Sequence, residues 1–286
     1  MENILEIRDL SKKYENFELN NINLSLPKGT IMGFVGENGA GKTTTISLIL
    51  NMIHRDSGTI NVFGLDNQKH EQEIKEQIGV VLAEGFFSLT MRNRDVASVM
   101  RRLYRNWDDA LFKSYMEKFA LPEKKMIKDY SSGMRMKLCI AAALSHHPKL
   151  LLLDEPTSGL DPIVRSEILD VFLEFIQDEE HSIFLSSHIT SDLERIADYI
   201  TFLHKGNIVF SQTKDDMLDS YGIIKCGRND VSQIDKADVI GCRENSFGYE
   251  VLVQNKQDMK RKYSHMVIDD CGIDEIMLFY VKGEEE

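Results

Sequence analysis

From residue 1 to about 212, continuous apolar runs alternate with stretches of helical periodicity, the pattern of a mostly parallel α/β sheet. Leu150-Leu151-Leu152-Leu153 is unbroken by polar residues and ends in two acids, as a central strand covered on both faces is written. Thr30 to Val35 and Ser182 to Ser186 read as further buried strands. After the first of these, Ile46, Ile49, Leu50 and Ile53 recur at i, i+3, i+4 and i+7 and predict a helix. Asp161-Pro162 supplies an N-cap and a first-turn proline for another, with Ile168, Phe172, Phe175 and Ile176 as its inner stripe. Residues 86 to 145 carry helical signal without a strong strand, which suggests an inserted helical subdomain. From about 213 the pattern changes. Short strand-like runs at Val239 to Cys242 and Tyr249 to Val253 meet through Asn245-Ser246-Phe247-Gly248 as a hairpin, and a helix over Asp274 to Val281 precedes a tail, Gly283 to Glu286, of disordered composition. The expected layout is one α/β domain over 1–212 with its helical insertion, then a small α/β accessory lobe over 213–286.

Composition narrows the partners. A chain of 286 residues holds one large or two modest domains, and a net charge of -12 argues against a nucleic-acid partner. Arg92, Arg94, Arg101, Arg102 and Arg105 are the best candidate for a local basic patch, read first as the solvated face of a helix. No apolar run approaches the ~18 residues of a membrane span, and the acidic start is unlike a signal peptide, so the chain is expected to be soluble alone. Cys139, Cys226, Cys242 and Cys271 are scattered, suggest neither zinc site nor disulfide framework, and fit a reducing cytoplasm.

The candidate chemistry begins at Gly36-Glu37-Asn38-Gly39-Ala40-Gly41-Lys42-Thr43, which satisfies G-x-x-x-x-G-K-[ST] between a strand and a helix and predicts binding of a nucleoside triphosphate. The glycines let successive backbone N–H groups face the β-phosphate, and the helix that follows points its positive end at the same anion. Lys42 adds a point charge for the β- and γ-phosphates. The Thr43 hydroxyl can ligate Mg²⁺, and Thr44 follows in the first turn. Asp154 and Glu155 close the leucine strand: the first acid can hold Mg²⁺ through water, and the second can orient or deprotonate an attacking water. These features predict a P-loop NTPase core of RecA-like α/β type.

Tyr130-Ser131-Ser132-Gly133-Met134 precedes that strand, and Ser158-Gly159-Leu160-Asp161 and Ser186-Ser187-His188 follow it. In this order the motifs resemble the nucleotide-binding subunits of ABC transporters. The resemblance implies that Ser131 and Gly133 serve ATP held on the P-loop of a second subunit, in a head-to-tail dimer enclosing two ATP molecules. It implies Glu155 as general base, His188 as γ-phosphate sensor and Asp161 as a cross-dimer contact. Tyr14 would stack on adenine, or is an ordinary surface aromatic. Across most of the chain the likeness is to ATPase subunits of ABC-2 type exporters of Gram-positive bacteria, the group with bacitracin-resistance and phenol-soluble-modulin exporters. The cues are Tyr130 to Lys137, the block Ser186 to Ile200, and Ile276-Met277-Leu278-Phe279-Tyr280. The implied partners are an integral-membrane permease and a second ATPase subunit, the implied place is the cytoplasmic face of the membrane, and the implied cargo is a peptide or antimicrobial compound.

Two positions depart from the family. Tyr130, Ser132 and Met134 stand where the signature has Leu, Gly and Gln, and Ala83 stands where the Q-loop has its glutamine. Alanine cannot ligate a metal, so Glu84 is the candidate substitute contact to Mg²⁺ or water, against the reading of an exposed loop carboxylate. The competing functions are a non-transport ABC ATPase acting as a binding switch and a regulatory subunit that barely hydrolyses ATP. The charged linker joining two domains and the long heptad insertions of non-transport relatives are absent. The Glu155 and His188 pair argues against the regulatory reading, and the altered Q-loop argues for it.

Overall fold

The computed structural model describes residues 2–83 and 87–282. Its centre is a six-stranded sheet in the order 207–213, 199–204, 31–35, 182–187, 150–154, 78–81. Five strands run parallel, and Asn207–Thr213 pairs antiparallel at one edge. Every residue of Leu150–Asp154 is buried. Because side chains alternate across a strand, Leu150 and Leu152 enter one core, and Leu151 and Leu153 enter the other. Each such leucine contributes about 1.5–3 kcal/mol by leaving water, which is why the run needs no polar position.

One core lies between this sheet and an antiparallel sheet of Glu18–Pro27, Asn3–Lys13, Ser57–Val62 and Leu65–Asp66. The helix after the phosphate loop, Lys42–Ile49, packs there through Ile46 and Ile49. It is shorter than its periodicity predicts. Asn51 takes a left-handed φ of 53°, Asn51 N–H bonds Leu48 O and Met52 N–H bonds Ser47 O, a pairing that closes a helix end. Ile53 therefore lies beyond the helix and packs, partly buried, on the same core.

The other core takes the helices Asn93–Leu103, Asp109–Lys118 and Ser132–Leu144, together with Pro162–Phe175 and Thr190–Ile196. Three of the five arginines of the candidate basic patch are partnered by acids: Arg101 with Asp109 at 2.6 Å, Arg94 with Asp95 at 3.7 Å and Arg105 with Glu76 at 3.8 Å. That is the solvated-face arrangement.

Beyond Thr213 a helix, Lys214–Ser220, leads into a third sheet, Val239–Asn245, Gly248–Val253, Gly222–Cys226 and Val267–Asp269. Its hairpin turn is held by Asn245 Oδ1, which accepts from Phe247 N–H at 2.8 Å and Gly248 N–H at 3.0 Å. The helix Ile273–Lys282 returns to the main domain, where Ile273, Ile276 and Phe279 join Ile200 and Phe202 in one core. Glu194 Oε1 accepts from Ile273 N–H at 3.0 Å, tying this helix's start to the helix Thr190–Ile196. Among the described residues no helix is long and apolar enough to cross a membrane. No disulfide joins any of the four cysteines, and burial pushes the Cys271 thiol up to about 12.

Candidate active site

The phosphate loop leaves the carboxyl end of Ile31–Val35, in the middle of the parallel strands, where ligands of such sheets bind. Two of its glycines answer to steric need. A Cβ on Gly36 would stand 2.4 Å from Leu203 O, and Gly41, at φ +115°, would drive one to 2.8 Å from Phe17 Cζ. Gly41 is also the N-cap of Lys42–Ile49, and Thr45 Oγ1 donates to its carbonyl at 2.9 Å. Ala40 is buried beneath the loop, whereas Glu37, Asn38 and Gly39 form its exposed rim beside an open cavity of 460 Å³. Lys42 is only 6% exposed and folds back over the loop, donating to Gly36 O at 2.7 Å and Glu37 O at 3.3 Å.

The strand Leu150–Asp154 delivers the two acids. Asp154 accepts from Thr43 Oγ1 on Oδ2 at 2.8 Å and from Ser186 Oγ on Oδ1 at 2.5 Å. Glu155 takes φ +51°, a left-handed conformation that costs a non-glycine residue energy and collects at functional sites. Its N–H is held by Ser186, through the carbonyl at 3.1 Å and Oγ at 3.2 Å. Its carboxylate lies between two groups. Oε1 is 3.2 Å from the Lys42 ammonium, and Oε2 is 2.6 Å from His188 Nδ1 and also accepts from His188 N–H at 3.3 Å. With Nδ1–H donated to Glu155, Nε2 is the ring nitrogen of His188 left for a ligand.

Lys42, Thr43, Asp154, Glu155 and His188 therefore meet, although five strands and the helices Asn93–Leu103, Asp109–Lys118 and Ser132–Leu144 are threaded between them in sequence. Thr44 sits half-buried in the first helical turn. Ser131, Gly133 and Asp161 stand outside this network. Ser131 is exposed and caps Ser132–Leu144, its Oγ accepting from Met134 N–H at 3.2 Å. Gly133 packs under Val164, which a Cβ would approach to 3.0 Å. Asp161 caps Pro162–Phe175 by accepting from Ile163 N–H at 3.1 Å and Val164 N–H at 3.0 Å.

Tyr14 is 43% exposed and bonds by its N–H to Phe17 O at 2.7 Å. Phe17, absent from the sequence reading, is the aromatic in contact with Gly41, and the two rings are 6.4 Å apart. Ser186 was also missed as a site residue, although Asp154 and Ser186 are strand ends in register. The pair of Glu37 Oε1 and His204 Nδ1, 3.0 Å apart, carried no local signal at all. Glu84 lies outside the described residues, and Ala83 beside it is exposed.

The ABC transporter family model matches residues 19–158. The bacitracin transport ATP-binding protein BcrA of Enterococcus faecalis is 35% identical over 212 residues, covering 73% of this chain and 69% of that protein. The lantibiotic transport ATP-binding protein SrtF of Streptococcus pyogenes is 33% identical over 215 residues, 74% of this chain and 92% of that protein. A solved ATP-binding subunit of an ABC transporter superposes with a TM-score of 0.67 at 25% identity, over 75% of this chain and 91% of that one. With the phosphate loop, the two strand-end acids and the histidine assembled at one place, the chain belongs to the ATP-binding ATPase subunits of ABC transporters.

Proposed function

We propose that two ATPase chains of this kind close head to tail around two ATP molecules, and that hydrolysis there drives a separate membrane permease which exports peptides or antimicrobial compounds from the cytoplasmic face. The observation that carries the ATP chemistry is the pair of contacts made by Glu155, to Lys42 on one side and His188 on the other. The phosphate loop backbone and Lys42 would take the β- and γ-phosphates, which requires the ammonium to leave Glu155. The freed carboxylate would then accept a proton from the water attacking the γ-phosphorus in line, while ADP departs as the leaving group. His188 Nε2 would contact the γ-phosphate, with Glu155 holding the ring by Nδ1.

The donors beside the loop fit Mg²⁺: a hydroxyl on Thr43 and a carboxylate on Asp154, both hard oxygens, 2.8 Å apart. Bound there with the phosphates, the ion would neutralise charge on the transferring group. Ser131, Gly133 and Asp161 are exposed or packed at the starts of two helices and form no hydrogen bond or ion pair with their own chain's phosphate loop among the described residues, which supports their use by a partner chain. Permease docking is supported by an apolar groove of 370 Å³ between the sheet and the helical insertion, lined by Met52, Val80, Leu82, Met91, Met100 and Leu103 among others. The names of the bacitracin and lantibiotic relatives support the cargo class.

Sedimentation of Glu155→Gln with and without Mg-ATP tests the two-chain arrangement. ATP at ~100 times its dissociation constant favours the state it binds by about 2.7 kcal/mol, enough to shift a weak monomer–dimer equilibrium. The expected result is a dimer only with Mg-ATP; a monomer at every concentration overturns pairing between identical chains.

A further inference from the structure

Tyr130 stands where leucine is usual, and its ring is 3% exposed. The hydroxyl lies 2.8 Å from both Asn93 Oδ1 and Pro122 O. A phenol has one proton, so it can donate to only one of these oxygens at a time. Either amide orientation serves all three groups: as placed, the phenol donates to Asn93 Oδ1 and Asn93 Nδ2 reaches Pro122 O at 3.5 Å, and with the amide turned over Nδ2 donates to the phenol oxygen while the phenol proton goes to Pro122 O. Asn93 is 5% exposed and opens the helix Asn93–Leu103, whose Val99, Met100 and Leu103 line the apolar groove. Beside this contact, Ile127 N–H bonds Met91 O and Lys128 N–H bonds Leu89 O, each at 2.9 Å. On its other side Tyr130 leads directly into Ser131, and its carbonyl accepts from Arg135 Nε at 3.2 Å. A leucine would fill the same space without burying an oxygen. The hydroxyl therefore calls for a role that apolar packing cannot perform, namely fixing one orientation of the turn.

We propose that Tyr130 is a positioning residue: its buried hydroxyl locks the Ser131 to Gly133 turn to the groove-lining helix, so that the two move as one body and the turn is presented to ATP on the partner chain. This rests on the head-to-tail reading above. The groove and the ATP contact are then joined by two routes that meet at Tyr130 next to Ser131: the backbone bonds Met91 to Ile127 and Ile127 to Tyr130, and the helix from Met100 back to Asn93 with its bond to the Tyr130 hydroxyl.

The test is Tyr130→Phe, made in the Glu155→Gln chain and in the otherwise unaltered chain. Mg-ADP affinity of the single subunit should stay within about twofold, because the phosphate loop is elsewhere. The protein concentration at half-dimerisation with Mg-ATP should rise about 5- to 150-fold, the range expected when a buried hydrogen-bond partner is left unsatisfied. In the hydrolysing chain kcat should fall with KM for ATP unchanged. A dimerising parent whose Tyr130→Phe form dimerises at the same concentration, with only a lowered thermal midpoint, overturns the proposal alone, as does a parallel loss of Mg-ADP affinity. A parent that never dimerises overturns the two-chain reading and this inference with it. Should Tyr130→Phe fail to fold, Asn93→Ala carries the same expectations.

Discussion

Glu155 holds a left-handed backbone position at the site, and its carboxylate occupies the lysine that the γ-phosphate needs. Nucleotide binding then has to break an ion pair whose members are 6% and 15% exposed. Glu155→Gln removes the competing charge, so ATP should bind about 2- to 10-fold tighter, the worth of about 0.5–1.5 kcal/mol, while turnover falls roughly 10²- to 10⁴-fold. Lys42→Ala removes a charged donor and should cost about 10- to 150-fold in ATP affinity, from about 1.5–3 kcal/mol for a hydrogen bond to a charged group. Calorimetric titration with ATP and steady-state hydrolysis on both variants separate the two effects. Equal losses of affinity would defeat the assigned roles.

At the scale of elements, the strand Ile78–Val81 and the end of the helix Ser132–Leu144 are joined by His146, whose Nε2 lies 3.1 Å from Ile78 O and whose ring stacks on Tyr104 at 3.8 Å. Burial pushes the imidazole below its ordinary range; Glu76 opposes that shift and His147 adds to it. A base with a depressed folded pKa binds its proton later than the unfolded chain does. Stability is therefore full above the unfolded value of about 6.5 and is lost as pH falls below it, by at most about 1.4 kcal/mol per pH unit for one proton. Urea midpoints of the wild type and His146→Gln between pH 7.5 and about 5 check this. The variant should give the flatter curve, and parallel curves would show that His146 is not the group responsible. The helix Pro162–Phe175 was legible from its cap, because Asp161-Pro162 acts within one turn. The end of Lys42–Ile49 was not, because apolar spacing continued past Asn51 while the backbone turned left-handed there.

Across the whole molecule, the segment after Thr213 is bound to the ATPase domain rather than appended to it. Phe279 and Ile276 share a core with Phe202, and Tyr221 and Tyr280 bring their hydroxyls within 3.0 Å beside that core. Phe279→Ala should cost about 3–5 kcal/mol, and ATP binding and helical signal should be lost in one shared thermal transition. Two separate transitions, with the ATP-binding one unmoved, would show a lobe that folds by itself. Glu194 extends this continuity towards the site, since it caps the C-terminal helix from an element that begins two residues after His188.

What the sequence determined by itself is whatever short-range chemistry encodes. The phosphate loop, the leucine strand with its two acids, the capped helix after Asp161 and the hairpin at Asn245 each depend on residues within a few positions of one another. Tertiary structure alone decided which distant residues meet. Ser186 reaches Asp154 because adjacent strands pair in that register, and a slip by one residue would turn its hydroxyl to the opposite face. Phe17 against Gly41, Lys42 against Glu155 and Tyr130 against Asn93 are contacts of the same kind. No periodicity records them, because a spacing pattern tells which face of an element is buried and leaves open which other element covers it.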